Sequence, residues 1–561
     1  MDKSFWSEKR PAGVSNSINM DEYSSILSVI EGMLSNNEQK PAFTSIGHTL
    51  SYSDIDKYSK YFASYLQNYT DLKPGDRIAI QIPNLLQFPI AVYGAIRAGL
   101  IIVNTNPLYT AREMNHQFND SGARALVFLD SFGRSVEEII DNTNIKYLIC
   151  TRLADMLPLP KRTMINFVVK HIKKMVPPFT IAGMVPFLTT LKQGAIARYN
   201  PPPSVPLDTP VVLQYTGGTT GISKGAILTQ RNLIANMLQV REVLSQKDGT
   251  GNKILEYGKE IIIAPLPLYH IYAFTIHILC LPLMGHHSIF IANPRDTTTF
   301  IKHIKRWNFT GFIGLNTLFV SLLNHINLSK RDFSSLKFTL SGGTALQKNI
   351  GQQWEAFTSC KISEAYGLTE CSPAVCVNPL GELPQLGTAG LPIPDTFLKT
   401  IDKNGDETPL GVPGELCIKG PQVMKGYWQQ PEATADVLDA DGWLKTGDIA
   451  TIQEDGFVKI VDRLKDMIIV SGFNVYPNEV ESVASSSKKV KNCAAIGVPD
   501  DKTGERVKLF VVASDKSLTS EELINHCRKY LTAYKVPRDV EFRTELPMTP
   551  VGKVLRKDLR S

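Results

Sequence analysis

Apolar and polar residues along the first 340 positions follow two alternating patterns. Short continuous apolar runs, RIAIQI (77–82), LIIVN (100–104), ALVFLD (125–130) and KYLICT (146–151), have the length and β-branched content of buried strands. Between them lie stretches with helical spacing, of which LLQFPIAVYGAIRA (85–98) is the clearest. The alternation resumes with EIIIAPL (260–266), HSIFIA (287–292), GFIGL (311–315) and LKFTLSGG (336–343). Strands apolar on both faces that alternate with helices predict parallel sheets covered on both sides. Ligands of such sheets bind beyond the carboxyl ends of the strands, where the loops converge.

The pattern changes after about residue 385. FLKTID, GELCIKG and GFVKIVD are short segments set between Gly, Pro and Asp turns, which predicts a small β-barrel or β-subdomain over about 385–461. VDRLKDM (461–467) is a charged break, and about 95 residues with their own αβ pattern follow. The predicted fold class is therefore α/β. A large N-terminal domain (1–461) holds two α/β subdomains with parallel-type sheets and the β unit. A hinge at 462–466, beginning with Asp462, leads to a small α+β C-terminal domain (467–561).

Composition narrows the function class. The chain has 561 residues, 43% apolar and 20% charged, as in an ordinary globular protein. A net charge of +6 spread over this length does not mark a nucleic-acid binder, but it suits anionic ligands or an anionic membrane surface. Eight scattered cysteines show no CxxC and no zinc spacing, which predicts reduced core thiols in a cytoplasmic protein. The start, MDKSFWSEKRPAG, lacks an apolar h-region, so no signal peptide is expected. No run of 18 apolar residues predicts a spanning helix. One segment, 158–206, stands apart. Lys161, Arg162, Lys170, Lys173 and Lys174 punctuate Ile165, Phe167, Val168, Val169 and Ile172, and Pro178 to Leu191 is mostly apolar. It reads equally as a basic amphipathic patch on a membrane surface and as a solvated helix face.

The candidate chemistry begins at YTGGTTGISKGA (215–226). It follows the strand pattern PVVLQYT and precedes AILTQRNLIANML, which reads as a helix. Tyr215 opens it; Gly217, Gly218 and Gly221 permit close backbone approach. Thr216, Thr219, Thr220 and Ser223 offer hydroxyls, and Lys224 a positive charge. Backbone N–H groups, hydroxyls and a lysine together suit a polyphosphate. GxxxxGK[ST] cannot be aligned to it, so it is not a Walker A loop. A flexible turn is the bland alternative for any glycine loop, and the clustering of Thr, Ser and Lys weighs against it. In EAYGLTE (364–370), Tyr366 could stack on a planar base, Gly367 and Thr369 follow, and Glu370 could hold a divalent cation through oxygen. In GWLKTGDIA (442–450), Asp448 follows a turn glycine and suits ribose hydroxyls; Arg463 lies fifteen residues on. Each of these alone is compatible with surface decoration.

In this order and at this spacing, the YTGGTTGISKGA loop, YGLTE, the TGD turn, DRLKDMI and the terminal PVGKVLRKDL make the chain resemble the adenylate-forming superfamily. That group includes acyl-CoA synthetases, peptide-synthetase adenylation domains and firefly luciferase. The resemblance runs from about residue 40 to the end. Within the group, DGWLKTGDIATIQEDGFVKIVDRLKDMII (441–469), SGFNVYPNEVESV (471–483), FIANPRD (290–296) and GPQVMKGYW (420–428) resemble bacterial long-chain fatty acid–CoA ligases.

That resemblance implies ATP-dependent conversion of a fatty acid to acyl-AMP with release of pyrophosphate, then transfer of the acyl group to CoA. It implies that Lys553 bridges the carboxylate and the α-phosphate, and that Lys224 with the loop residues cradles the phosphates. It further implies a Mg2+ site at Thr216 and Glu370, an adenine stack on Tyr366 with Gly342 and Gly343 beneath, and ribose contacts from Asp448 and Arg463. His270, in PLPLYHIYAF, would lie beside the carboxylate and the CoA channel; a lone histidine is otherwise more often structural, as His277, His286 and His287 are read. In the resemblance the C-terminal domain is mobile and turns about Lys465. Lys553 then leaves, and the SGFN loop with Gly472 lines the pantetheine tunnel. Residues 228–240, 270–284 and 311–319 would wall an acyl tunnel, and at about 0.8 kcal/mol per buried methylene it should accept a range of chain lengths.

The expected partners are thus a fatty acid, ATP and CoA, with no nucleic acid, and with peripheral contact at the inner face of the cell membrane. A homodimer is among the assemblies the sequence leaves open. Medium-chain or aryl acids are the nearest alternative substrates. An amino-acid-activating domain fits less well, since YHIYAF lacks an aspartate for an amino group. A non-catalytic lipid-binding protein of the same fold is the alternative from another class.

Overall fold

Two mixed sheets carry most of the chain before residue 395 in the computed structural model, which describes residues 4–216, 223–325, 328, 332–381, 383–549 and 553–560. The first has seven strands in the spatial order Val185–Pro186, Tyr147–Thr151, Ala123–Leu129, Arg77–Gln81, Ile101–Asn104, Pro210–Thr216 and Lys224–Thr229. All its pairs are parallel except the last. The second has nine strands. Its parallel centre runs Ile362–Gly367, Phe338–Gly342, Gly311–Gly314, Ile261–Ala264, His287–Phe290 and Pro41–Ser45. Antiparallel strands close both edges. The apolar runs read from the sequence thus form the two parallel-type sheets expected.

Between the sheets packs the helix Gln87–Arg97, all eleven of whose residues are buried. A charged residue on a helix covered all round must be paired to stay buried. Arg97 supplies it, donating to Asp56 at 2.7 Å and facing Glu31 at 3.5 Å. Gly94 lets this helix approach its neighbour Tyr52–Asn68, since a Cβ there would stand 2.7 Å from the Phe62 ring.

One expectation is corrected here. AILT (226–229) does not belong to the helix: Lys224–Thr229 is a strand, antiparallel to Pro210–Thr216. The helix begins only at Gln230, where Thr229 caps it by accepting from Asn232 N–H. The glycine-threonine stretch therefore connects two antiparallel strands and not a strand to a helix, so no helix dipole follows it directly.

From Phe397 to Arg463 the chain forms a four-stranded antiparallel meander, Phe397–Ile401, Gly414–Lys419, Leu444–Ile452 and Val458–Arg463. This is the expected β unit, with pairing in chain order. A five-stranded mixed sheet follows (Ile468–Val470, Phe473–Val475, Val490–Asp500, Gly504–Ala513 and Asp539–Phe542), with the helices Pro477–Ser485 and Ser520–Arg528. Its two apolar clusters draw only on residues between 468 and 559. All eight cysteines are free and buried. Among the described residues no helix is long and apolar enough to cross a membrane.

Three histidines lie deep in the nine-stranded part. His277 Nδ1 meets Ser288 Oγ at 3.1 Å, His287 Nε2 meets Thr44 Oγ1 at 2.8 Å, and neither ring nitrogen of His286 has a hydrogen-bond partner. Burial lowers them to about 3, 4 and 4 for His277, His286 and His287. In the unfolded chain such rings titrate near 6.5. Between about pH 6.5 and 4 the unfolded chain therefore binds protons the native one refuses, so these residues make stability fall as pH drops through that window. The cost is about 2 kcal/mol per histidine at pH 5. Buried carboxyls such as Asp130, raised to about 6, and Glu364, raised to about 7, act in the opposite sense. A His286→Gln chain should accordingly lose about 2 kcal/mol less than the parent between pH 7 and pH 5 in urea unfolding; equal losses would contradict the assignment.

Candidate active site

Gly217, Gly218, Thr219, Thr220 and Gly221 lie outside the described residues. The strands on either side are described. Thr216 pairs in register with Lys224. The Lys224 ammonium stands 5.2 Å from the centre of the Tyr427 ring, and the Tyr427 hydroxyl donates to Glu370 Oε1 at 2.7 Å. Glu370 sits in the short turn Thr369–Cys371 that ends the strand Ile362–Gly367, and its carbonyl accepts from Met424 N–H at 2.7 Å. One lysine and one carboxylate thus meet at Tyr427, with Thr216 beside Lys224 in the strand pair. Ser223 contributes its carbonyl to His116, whose Nε2 lies 3.0 Å away. Tyr215 points to the other face of its strand. It is buried with Phe118 and Leu213 and its hydroxyl donates to Asp120.

The fifteen-residue spacing of Asp448 and Arg463 becomes a cross-strand pair, because the two oppose each other between Leu444–Ile452 and Val458–Arg463. Asp448 is buried. One of its carboxylate oxygens accepts from Arg463 Nε at 2.9 Å and the other from the Tyr366 hydroxyl at 2.6 Å. Each oxygen keeps acceptor capacity for a further donor, such as a sugar hydroxyl. Burial, and then the Asp448 charge, hold the Tyr366 phenol well above its usual range, so it stays a donor. Gly367 is needed where the strand end packs on Pro373: a Cβ there would stand 2.2 Å from the Pro373 carbonyl oxygen.

A narrow cleft is lined by Leu266, Pro267, His270, Tyr272, Leu315, Gly342, Gly343 and Lys553, and its Lys553 feels the charges of Asp448 and Arg463. Gly342 ends the strand Phe338–Gly342, and a Cβ on it would meet the Tyr272 ring at 3.0 Å. Gly343 takes φ +81°, the left-handed region. His270 caps a short turn; its Nδ1 accepts from Tyr272 N–H at 3.3 Å, which leaves the proton on Nε2. Burial first, and then Lys553, push its pKa down to about 4, so the ring is neutral.

Lys553 comes from the far end of the chain. A turn holds it, with its N–H on Thr549 Oγ1 at 2.9 Å and its carbonyl accepting from Thr549 N–H at 2.7 Å. Water reaches it, yet protein surrounds its side chain in the cleft. Desolvation, and then the charges of Arg463 and Lys465, lower its pKa, while Asp448 and Glu370 oppose. The fold therefore joins in one place Lys553, His270, Gly342, Gly343, Tyr366, Asp448, Arg463 and Glu370.

Other expected residues stay apart. Gly472 (φ +81°) lies in an exposed turn between Ile468–Val470 and Phe473–Val475, and it is absent from the cleft wall. Lys465 lies in the turn Leu464–Asp466. Of the three expected tunnel walls, 270–284 and 311–319 reach the cleft. The helix Gln230–Leu244 does not; its Asn232, Asn236 and Gln239 donate to carbonyls of Val423, Ala374 and Pro394. Tyr427 and Tyr272 carry no role in the sequence reading, although both fall in quoted stretches. An aromatic gives no local spacing signal of the kind that paired charges give.

Thr216 and Glu370 are hard oxygen donors, fit for Mg2+ held mainly by substrate phosphates and water. Among the described residues no group of three or more His, Cys, Asp or Glu could hold a metal by itself.

This arrangement has relatives. The AMP-binding enzyme profile matches residues 32–428, and the AMP-binding enzyme C-terminal domain profile matches residues 479–553. The chain belongs to the AMP-binding enzyme family. It is 47% identical over 555 residues to a long-chain-fatty-acid–CoA ligase of Yersinia pestis, covering 99% of this chain and 97% of that one. It is 45% identical over 555 residues to the ligase of the same description from Haemophilus influenzae, covering 99% and 98%. Among solved structures, ATP-bound MatB from Rhodopseudomonas palustris superposes with a TM-score of 0.80 at 26% identity, over 95% of this chain and 98% of that one. AMP-binding enzymes thus supply the frame for the site residues above.

Proposed function

We propose that this enzyme activates long-chain fatty acids, joining them first to AMP and then to CoA. The observation that carries the reading is the position of Lys553, set against His270 and the Gly342–Gly343 pair and near the buried Asp448 with its partner Arg463. The relatives described as long-chain-fatty-acid–CoA ligases match over nearly the whole length and support the acid class.

In the first half-reaction a carboxylate must approach a negatively charged α-phosphate. Positive charge already in position stabilises the developing negative charge without reorganisation, and losing one such group typically costs roughly 10²–10³ in rate. Lys553 supplies that charge between acid and phosphate. Lys224 and the hydroxyls of Thr216 and Ser223 hold the pyrophosphate to be released. Asp448 and Arg463 hold the ribose, and Tyr366 with Gly342 and Gly343 frames the adenine. A Mg2+ ion bound through Glu370 and Thr216 would neutralise phosphate charge. His270, neutral with its proton on Nε2, donates toward the acyl oxygen. In the second half-reaction the thiol of CoA displaces AMP. The unit after residue 466 then turns about 462–466, withdrawing Lys553 and bringing Gly472 to the acyl group. Each step thereby meets a different set of groups at the same carbonyl. Leu266, Pro267 and Leu315 supply the apolar wall where the tail enters.

The enzyme further rests on the inner face of the membrane that supplies its acids. The segment 158–206 supports this. Its helix Lys161–Phe167, continued by the wider turn Val168–Ile172, buries Val169 and turns Met164, Phe167 and Ile172 outward, 61%, 57% and 66% exposed. Met175 follows, also exposed. A solvated face would place polar residues there. No acidic residue occurs between Asp155 and Asp208, while Lys161, Arg162, Lys170, Lys173, Lys174, Lys192 and Arg198 do. Basic residues near an anionic bilayer contribute about 1 kcal/mol each.

Two experiments test these readings. Acids of six to twenty carbons, assayed for ATP-dependent CoA thioester, should peak among the long chains; a peak among aryl or short acids would overturn the substrate class, and silence with all would favour a lipid-binding protein. A Phe167→Glu/Ile172→Glu chain should bind vesicles containing phosphatidylglycerol at least tenfold more weakly and still turn over a dissolved medium-chain acid. Unchanged vesicle binding would reject the membrane face.

A further inference from the structure

Asn478, second residue of the helix Pro477–Ser485, makes contacts on both sides of the hinge. Its backbone N–H donates to Asp462 Oδ2 at 2.7 Å, and its side-chain amide donates to the Val461 carbonyl at 3.2 Å. Both acceptors belong to the last strand of the meander, Val458–Arg463. Its amide oxygen accepts from Arg556 Nη2 at 3.0 Å. The orientation of this amide follows from its partners, since a carbonyl requires the NH2 and a guanidinium requires the oxygen.

Arg556 lies three residues beyond Lys553. Its guanidinium is mostly buried; it also donates to Glu481 Oε1 at 2.8 Å and reaches Asp466 Oδ2 at 3.4 Å. Arg560 Nη2 meets the other oxygen of Asp466 at 3.2 Å. These acids hold the end of the chain to the hinge and to the helix Pro477–Ser485. Among the described residues, Asn478 carries that attachment on, through its side chain, to the strand that ends in Arg463. A continuous path therefore runs from the Asp448–Arg463 couple along Val461 to Asn478, to Arg556, and so to Lys553.

We propose that Asn478 is a positioning residue for acyl-adenylate formation: it clasps the Lys553-bearing segment to the meander in the orientation that places Lys553 in the cleft. The proposal rests on the reading above in which the C-terminal unit turns about 462–466. Such a turn carries Asn478, Glu481 and Arg556 together and leaves Val461 behind. The amide bond to Val461 is therefore given up in the second orientation, whereas the Arg556 contacts are kept. A single intramolecular hydrogen bond of this kind shifts an equilibrium by a factor of about 2–10. The clasp thus biases the enzyme toward the first half-reaction without locking it there.

The test separates the half-reactions in the full-length enzyme. In Asn478→Ala, palmitate-dependent exchange of labelled pyrophosphate into ATP should fall about fivefold, within the factor of about 2–10 above. Conversion of supplied palmitoyl-adenylate and CoA to palmitoyl-CoA should stay the same or rise, and the KM for ATP should not change. Asn478→Asp keeps an acceptor for Arg556 but loses the donor to Val461, and it should behave as Asn478→Ala does. If both half-reactions fall together, or if neither moves, Asn478 is a structural residue and the proposal is overturned. Lys465→Pro tests the underlying rotation and should have the opposite effect, sparing exchange and abolishing thioester formation. If it abolishes both, the rotation reading fails and the clasp with it; if it acts as expected while Asn478→Ala leaves exchange intact, the clasp alone fails.

Discussion

On the reading proposed above, an ammonium group held where two anions must meet is the constraint to which the rest of this protein answers. A carboxylate and a phosphate repel each other, and positive charge between them must be in place before the reaction begins. Surrounding such a charge with protein disfavours it, and the pKa of Lys553 is lowered in that sense. The surroundings offset it with Asp448 and Glu370, while Arg463 and Lys465 act against it. Asp448 is in turn fixed by Arg463 and Tyr366, so that the negative charge Lys553 feels has a fixed address.

The large architecture follows from holding these groups in register. Gly342 and Tyr366 come from neighbouring parallel strands, and His270 follows the next strand but one. Thr216 and Lys224 come from the edge hairpin of the other sheet. Asp448 and Arg463 come from adjacent strands of the meander. The fully buried helix Gln87–Arg97 sits in the core common to the two sheets. Tyr427 joins the hairpin to Glu370. Lys553 arrives from a unit with apolar clusters of its own, and the tie that carries it past the hinge is polar: Asn478, Arg556 and the acids around them.

Much of this was legible in the sequence for physical reasons. Strands buried on both faces cannot hide, so the runs at 77–82, 125–130, 287–292 and 311–315 correspond to strands at nearly those bounds. The positions of Asp448 and Arg463 were legible as separate candidates, but their pairing needed the antiparallel register. AILT (226–229) reads as helix because no turn residue separates it from the helix that follows; Thr229 ends the strand and caps the helix at once. Tyr215 was grouped with the loop by adjacency, whereas strand alternation turns its side chain into the core. The roles of Tyr427, Tyr272 and Asn478 arise from long-range contacts and have no local signature. Which way the segment 158–206 faces was also undecidable from periodicity, because a helix that is apolar on its outward side has the same spacing as one apolar on its inward side.

The central claim is that Lys553 acts in forming the adenylate and not in using it. Lys553→Ala, assayed with palmitate, should reduce pyrophosphate exchange by roughly 10²–10³ while leaving the conversion of supplied palmitoyl-adenylate and CoA to thioester near its normal rate. Exchange at the parent rate would contradict the account.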